Sequence, residues 1–245
     1  MIPTAAQGQF VAWAGGHEAK ILVVTTASAD AGTDQQDRFA KPWDDLDVSS
    51  VIIVHAESRE EASSKPLLKS IQEATGVWFV GGIQQRIIDR YVGTSFEEEL
   101  DQLLQRGGVV GGTSAGAAIQ SGLAIVGGSR RPQLDTGFDL LPGAVIDQHF
   151  TERDRLARLQ NAIRKHATKV GLGIDEDTAL LVDRRFMKVV GAGAVTAVLP
   201  RGRKGQQEIV KYSADSLIDL TSLRRMVRDR QLPVFPAAKM SEPIV

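Results

Sequence analysis

Gly112-Thr113-Ser114-Ala115-Gly116 spells G-x-S-x-G, with the apolar stretch GVVGG running into it and a small-residue helical pattern following. A serine hydroxyl becomes a useful nucleophile only when a base can take its proton. A sharp strand-to-helix bend lifts such a hydroxyl out of the chain, and the residues two before and two after must be tiny to fit the bend. The helix that follows would aim free N–H groups and its positive end at the oxygen, which makes the Ala115 N–H a candidate oxyanion-hole donor. Glycine-rich turns of this kind also cradle phosphates. Here no lysine follows as in a P-loop, and G-x-G-x-x-G is not spelled. The predicted chemistry is acyl transfer through Ser114.

The base must come from four histidines. His17 stands in a loop before the first strand, and His166 falls near the end of a long helical pattern, where it suits a C-terminal cap. His55 ends an apolar run on the sheet edge where active sites collect, and stays a rival. His149, in VIDQHFTERDRL, lies between an apolar run and a helix, with Thr151 and Asp154 at a capping-like spacing; it is the expected base. A carboxylate should orient the imidazole and balance its charge. Asp175, Glu176 and Asp177 cluster at the mouth of a strand, and Asp147 is a further candidate; spacing does not choose among them. An acid from the 175–177 run would follow the histidine in the chain. In α/β-hydrolases the acid precedes it, which argues against that fold.

Elements able to position these groups are legible as alternating strands and helices. KILVVTTAS, SVIIVHA, GVWFVGG and GVVGG read as buried parallel strands. DQQDRFAKPWDDL reads as partly helical, and SREEA as a helix opened by Ser58 with Glu61 three residues on. IQQRIIDRYV and FEEELDQLLQRG follow as helices, the second stopped by Gly107. ERDRLARLQNAIRKHATK places Leu156, Leu159 and Ile163 on one stripe. Such alternation predicts an α/β fold, a three-layer, doubly wound and mostly parallel sheet. After residue 178 short strands with tight turns predict added C-terminal β-hairpins, with GAGA at 191–194 as a hairpin turn, GRKGQQ as a basic loop and residues 236–245 as a loose tail.

The 245 residues fit a single domain. A net charge of −1 gives no basic field for nucleic acid. The chain has no cysteine, which excludes disulfides, thiolate metal sites and a cysteine nucleophile. No apolar run reaches the ~18 residues of a membrane span, and no signal peptide opens the chain, so a cytoplasmic location without a membrane partner is expected.

GGTSAGAA, DQHFTERDRLARL and GLGIDEDTALLV, in that order, resemble the cyanophycinases and their relative aspartyl dipeptidase, a family of serine peptidases whose fold is like that of class I glutamine amidotransferases. The resemblance runs from about residue 5 to residue 200. It implies Ser114 as nucleophile, His149 as general base and Glu176 as the orienting acid, with Gly82 and Ala115 supplying the oxyanion-hole N–H groups. It further implies Gln84, Asp147, Gln148, Arg153, Arg155 and Arg158 in the substrate pocket. The spacing of Arg153 and Arg155 supports part of this, because guanidinium groups near a helix start can clamp carboxylates. The implied substrate is a polymer of aspartate bearing arginine on each β-carboxyl, cut to β-aspartyl-arginine without metal or organic cofactor. An exopeptidase for short α-aspartyl peptides and a non-catalytic binding module are the alternatives. The resemblance also implies a homodimer. Two departures stand out. Ile83 replaces a small acidic or amide residue in the Gly-Gly-x-Gln turn, and the chain opens inside the helix that follows the family's first strand, which predicts a mis-set start, a truncated N-terminus or a sheet that lacks this strand and leaves backbone unpaired.

Overall fold

The computed structural model describes residues 2–29, 37–202 and 205–231. Its first half alternates α1 (Thr4–Trp13), β1 (Lys20–Val24), α2 (Asp37–Ala40), β2 (Ser50–Val54), α3 (Arg59–Ala62), α4 (Lys65–Glu73), β3 (Gly76–Phe79), α5 (Gln84–Tyr91), α6 (Ser95–Gln105), β4 (Val109–Gly112) and α7 (Ala115–Ala118). The second half runs β5 (Leu123–Gly127), β6 (Gln133–Thr136), β7 (Ala144–Gln148), α8 (Leu156–Lys165), β8 (Val170–Ile174), β9 (Thr178–Asp183), β10 (Phe186–Gly191), β11 (Ala194–Leu199), β12 (Glu208–Ser213), β13 (Leu217–Asp219) and α9 (Leu220–Gln231).

The four apolar runs of the first half form one parallel sheet in the order β2-β1-β3-β4. Side chains alternate across a strand, and β1 shows what that does. Leu22 and Val24 enter one core with Ile71, Ile87, Tyr91, Phe96 and Leu100 from α4, α5 and α6. Ile21 and Val23 enter the opposite core with Phe10, Trp43 and Trp78. Both faces of β1 are therefore dry, which is why its sequence is continuously apolar rather than alternating. Phe10, Trp43 and Trp78 pack ring against ring at 5.0–5.6 Å and fix α1 to the sheet.

The second sheet has the order β12-β11-β8-β7, with β7 and β8 parallel and β11 antiparallel to both of its neighbours. Two smaller sheets complete the strands of the described residues: β9-β10-β13, and the β5-β6 hairpin. β9 and β10 join through Arg184-Arg185 as the expected antiparallel hairpin. GAGA does not form one. It leads from β10 to β11, which belong to different sheets, and it packs on the loop after β8. The helix expected from Glu152 starts at Leu156, because Thr151 turns its side chain to Asp175 instead of capping the helix. The hairpin β5-β6 had no counterpart in the sequence reading. The tail at 236–245 lies outside the described residues.

Among the described residues β4 has a strand partner, β3, on one side only. Its other margin looks into a cavity of about 1060 Å³ that also meets β9. Consecutive residues of both strands line that cavity, so it faces strand edges rather than one side-chain face.

Candidate active site

Three chain segments converge at the carboxyl ends of β4, β7 and β8. Ser114 follows β4 after Thr113 and sits at φ 53° and ψ −109° as the residue before α7. Such a conformation costs a non-glycine residue about 1–3 kcal/mol and persists only where the surroundings enforce it. Here the enforcement is steric. A Cβ on Gly112 would lie 2.4 Å from the Gly116 carbonyl carbon, and one on Gly116 would lie 2.1 Å from the Phe79 carbonyl oxygen. α7 is thus pressed onto the end of β3, and only glycines let it close. The Thr113 N–H donates to Phe79 O at 3.0 Å, and the Ala118 N–H to Ser114 O at 3.0 Å, pinning both sides of the bend.

His149 follows β7 at φ 49°. Its loop is tied to β8 by the Phe150 N–H donating to Ile174 O at 3.1 Å, and is closed by the Arg153 N–H donating to His149 O at 3.2 Å. The ring nitrogen Nε2 lies 2.8 Å from Ser114 Oγ. On the far side of the ring, Nδ1 lies 2.6 Å from Glu176 Oε1. An ionised carboxylate can only accept, so Nδ1 holds the proton and Nε2 is left to accept from the serine O–H. Serine, imidazole and carboxylate form one relay.

The remaining candidates are placed elsewhere. Asp175 is buried and accepts from Thr151 and Ala194. Asp177 stands at φ 48° and its carbonyl accepts from the Ala192 N–H at 2.9 Å. Asp147 is sealed in an ion pair described below. His55 Nδ1 lies 3.2 Å from Thr25 Oγ1 at the end of β2. Burial lowers the His55 pKa from its ordinary 6.5, and Arg90 and Arg86 push the same way against the opposing Glu57 and Glu61. His166 is the residue ending α8, and His17 lies 3.3 Å from Glu18 on the surface.

The Gly81-Gly82 turn at the end of β3 wedges between Ser114 and the end of β1. A Cβ on Gly81 would stand 3.2 Å from Ser114 Cβ, and Gly82 holds φ 142° so close to Ala27 O that a Cβ would lie 2.1 Å from it. Gly82 and Ala115 therefore lie on the two turns that flank the hydroxyl. Ile83, next in the chain, is half exposed.

A chain of hydrogen bonds leads away from this point. Gln84 Nε2 donates to Ile125 O at 2.6 Å, and Gln148 Nε2 donates to Gln84 Oε1 at 3.4 Å. Arg155 donates to Gln148 Oε1 and to Asp147 Oδ1, the latter at 3.4 Å. Arg158 grips Asp147 with Nε on Oδ2 at 3.0 Å and Nη2 on Oδ1, and gives Nη1 to Gly128 O at 2.8 Å. Asp147 is 1% exposed, so it serves the arginines and is closed to any larger partner. Two guanidinium groups share one carboxylate, and exposed Arg153 adds a third positive charge nearby. Burial first, and Arg158 second, hold the Arg155 pKa below its ordinary value. Excess positive charge of this kind attracts an anion. Gln85 donates to Asp135 Oδ2 at 2.9 Å and joins α5 to β6, a contact for which the sequence carries no signal beyond Gly127-Gly128 after the apolar run LAIV.

The sequence profile of Peptidase family S51 matches residues 4–190. Cyanophycinase of Geminocystis herdmanii is 32% identical over 194 residues, spanning 76% of this chain and 71% of that protein. Cyanophycinase of Synechococcus elongatus is 36% identical over 198 residues, spanning 77% of this chain and 61% of that protein. Among solved structures, a peptidase from an acI-B1 Actinobacterium superposes with a TM-score of 0.63 at 22% identity, covering 82% of this chain and 83% of that one. A Listeria monocytogenes structure superposes at 0.53 and 11% identity, covering 76% and 92%. At those identities the superpositions speak for the fold alone, which is of the class I glutamine amidotransferase-like kind.

Proposed function

The chain belongs to peptidase family S51, whose members are serine-type peptidases, and from that premise we propose that Ser114, His149 and Glu176 hydrolyse aspartyl amide bonds through an acyl-enzyme. The observation that supports this most directly is the unbroken relay of 2.8 and 2.6 Å from the Ser114 hydroxyl to the Glu176 carboxylate. Ser114 Oγ attacks the scissile carbonyl while Nε2 of His149 takes its proton, and Glu176 balances the imidazolium that results. The carbonyl oxygen gains a negative charge, which the N–H groups of Gly82 and Ala115 stabilise. As the tetrahedral adduct collapses, the C–N bond breaks and His149 returns the proton to the leaving amine. A water molecule, deprotonated by the same imidazole, then releases the acyl group and regenerates the serine.

The named relatives are cyanophycinases, and the positive charge around Arg153, Arg155 and Arg158 agrees with a substrate that presents free carboxylates, as the arginine side groups of such a polymer do. We therefore assign the arginine–aspartate polymer as the substrate class, cut at the backbone peptide bonds between its aspartates so that each β-linkage survives in the released β-aspartyl-arginine. The test is incubation with that polymer and, in parallel, with short α-aspartyl peptides. β-Aspartyl-arginine should accumulate with the polymer, and release from the α-peptides alone would move the substrate to the exopeptidase reading. Ser114→Ala should lower turnover by roughly 10⁴–10⁶-fold with the fold intact. A fall of less than tenfold would remove Ser114 as the nucleophile, and no turnover together with no labelling of Ser114 by a phosphonylating reagent would leave a binding module.

A further inference from the structure

The acid of the relay stands on a loop, and loops hold a catalytic geometry only if something stiffens them. What stiffens this one is the residue before it. Asp175 is 8% exposed, and its two carboxylate oxygens meet three donors from two other segments. Oδ1 accepts from the Thr151 hydroxyl at 2.6 Å and from the Thr151 N–H at 3.1 Å, in the turn that follows His149. Oδ2 accepts from the Ala194 N–H at 3.1 Å, at the start of β11, and the Asp175 N–H donates back to Ala194 O at 3.1 Å.

Glu176 itself is held at both backbone ends. Its N–H donates to Glu152 Oε1 at 3.1 Å, and its carbonyl accepts from Thr178 Oγ1 at 2.9 Å. Thr178 Oγ1 in turn accepts from the Gly193 N–H at 3.0 Å. The GAGA segment is the mould for this loop. A Cβ on Gly193 would lie 2.6 Å from Thr178 Oγ1 and 2.8 Å from Asp175 Cβ, so the loop could not seat against any other residue there.

We propose that Asp175 is a positioning residue: its carboxylate clamps the turn after His149 to the loop bearing Glu176 and thereby sets the imidazole–carboxylate contact. The chemistry requires an ionised carboxylate and not merely a polar side chain. All three partners present hydrogens, so every one needs an acceptor. An asparagine offers one acceptor oxygen, and its NH₂ would point at a donor on one side or the other. Thr151 contributes a hydroxyl and an N–H to the same oxygen, which couples the residue two after the base to the residue one before the acid.

The proposal rests on the catalytic reading above, and its test separates the two. The low-field proton resonance of His149 Nδ1–H reports the contact with Glu176 directly, whether or not a substrate is turned over. In the unaltered protein that resonance should be present. Asp175→Asn should lose or shift it, and should lower kcat by about 100-fold with KM within twofold, the scale of an angstrom-sized misplacement. Thr151→Val, which keeps the N–H and removes the hydroxyl, should give an intermediate loss, and Thr151→Ser should restore what Val loses. Thr151→Val keeps the test decisive if Asp175→Asn fails to fold. Unchanged resonance and kcat in Thr151→Val would overturn the proposal. Equal losses in Val and Ser would do the same, since the hydroxyl would then not be what matters. A protein with the resonance but no turnover on any aspartyl substrate would refute the function and leave the clamp standing.

Discussion

Asp147 shows how one side chain can matter to a site it cannot touch. It holds Arg158 and Arg155 in a place where water does not reach it, and removing it would leave two guanidinium groups facing each other in a dry environment. Breaking a buried pair from one side costs about 3–5 kcal/mol, because the orphaned charge keeps its desolvation penalty. Asp147→Ala should therefore lose stability on that scale in urea unfolding, and a loss below about 1 kcal/mol would mean that Arg158 finds water or another acceptor. Arg155→Ala should behave differently. It removes the more accessible of the two cations, leaves the tighter Arg158–Asp147 pair in place, and should raise KM for a substrate bearing free carboxylates more than it lowers stability. Some of this was legible from residue types and some was not. Ser114 announced itself because a strained bend imposes glycines at fixed offsets. The acid could not be chosen, because Asp175, Glu176 and Asp177 are chemically alike and only the fold decides which one faces the imidazole.

At the scale of elements, the carboxyl ends of β1 and β2 contain a pH-sensitive contact outside the relay. His55 has its pKa lowered by burial, so the folded state holds it neutral over a range where the unfolded chain binds a proton. The sign follows from linkage. Between the ordinary value near 6.5 and the lower folded value the unfolded state binds more protons, so stability falls as pH falls through that window. His55→Asn should flatten that part of the curve when unfolding midpoints are compared at pH ~7.5 and pH ~5.5, and parallel curves for the two proteins would remove His55 from the account. The local signals for elements fared unevenly, for a physical reason. Ser58 and Glu61 form the expected start of α3, with the Glu61 N–H on Ser58 Oγ at 3.2 Å and the Glu57 N–H on Glu61 Oε2 at 2.8 Å, because that end of the helix faces solvent with nothing competing for its groups. Thr151 has a similar look in sequence, yet a buried carboxylate outbids the helix for its hydroxyl. GAGA reads as a tight turn, and its small residues instead serve close packing against the 175–178 loop.

For the molecule as a whole, the layered architecture followed from continuous apolar runs, since a strand covered on both faces has no polar side to show. How the second half divides among separate sheets was not legible, because β8 pairs with β11 and β10 with β13 across intervening strands, and short strands carry no signal for such partners. The bare margin of β4 has a consequence for how the protein fails. Among the described residues its peptide groups on that side have no strand partner, whereas those of β1 are paired on both sides, so deuterium should enter β4 well ahead of β1. Rigidity thus declines toward the very strand that presents the hydroxyl. On gentle warming, hydrolytic power should fade at a lower midpoint than helical circular dichroism does, leaving an inert but still folded species that regains activity on cooling.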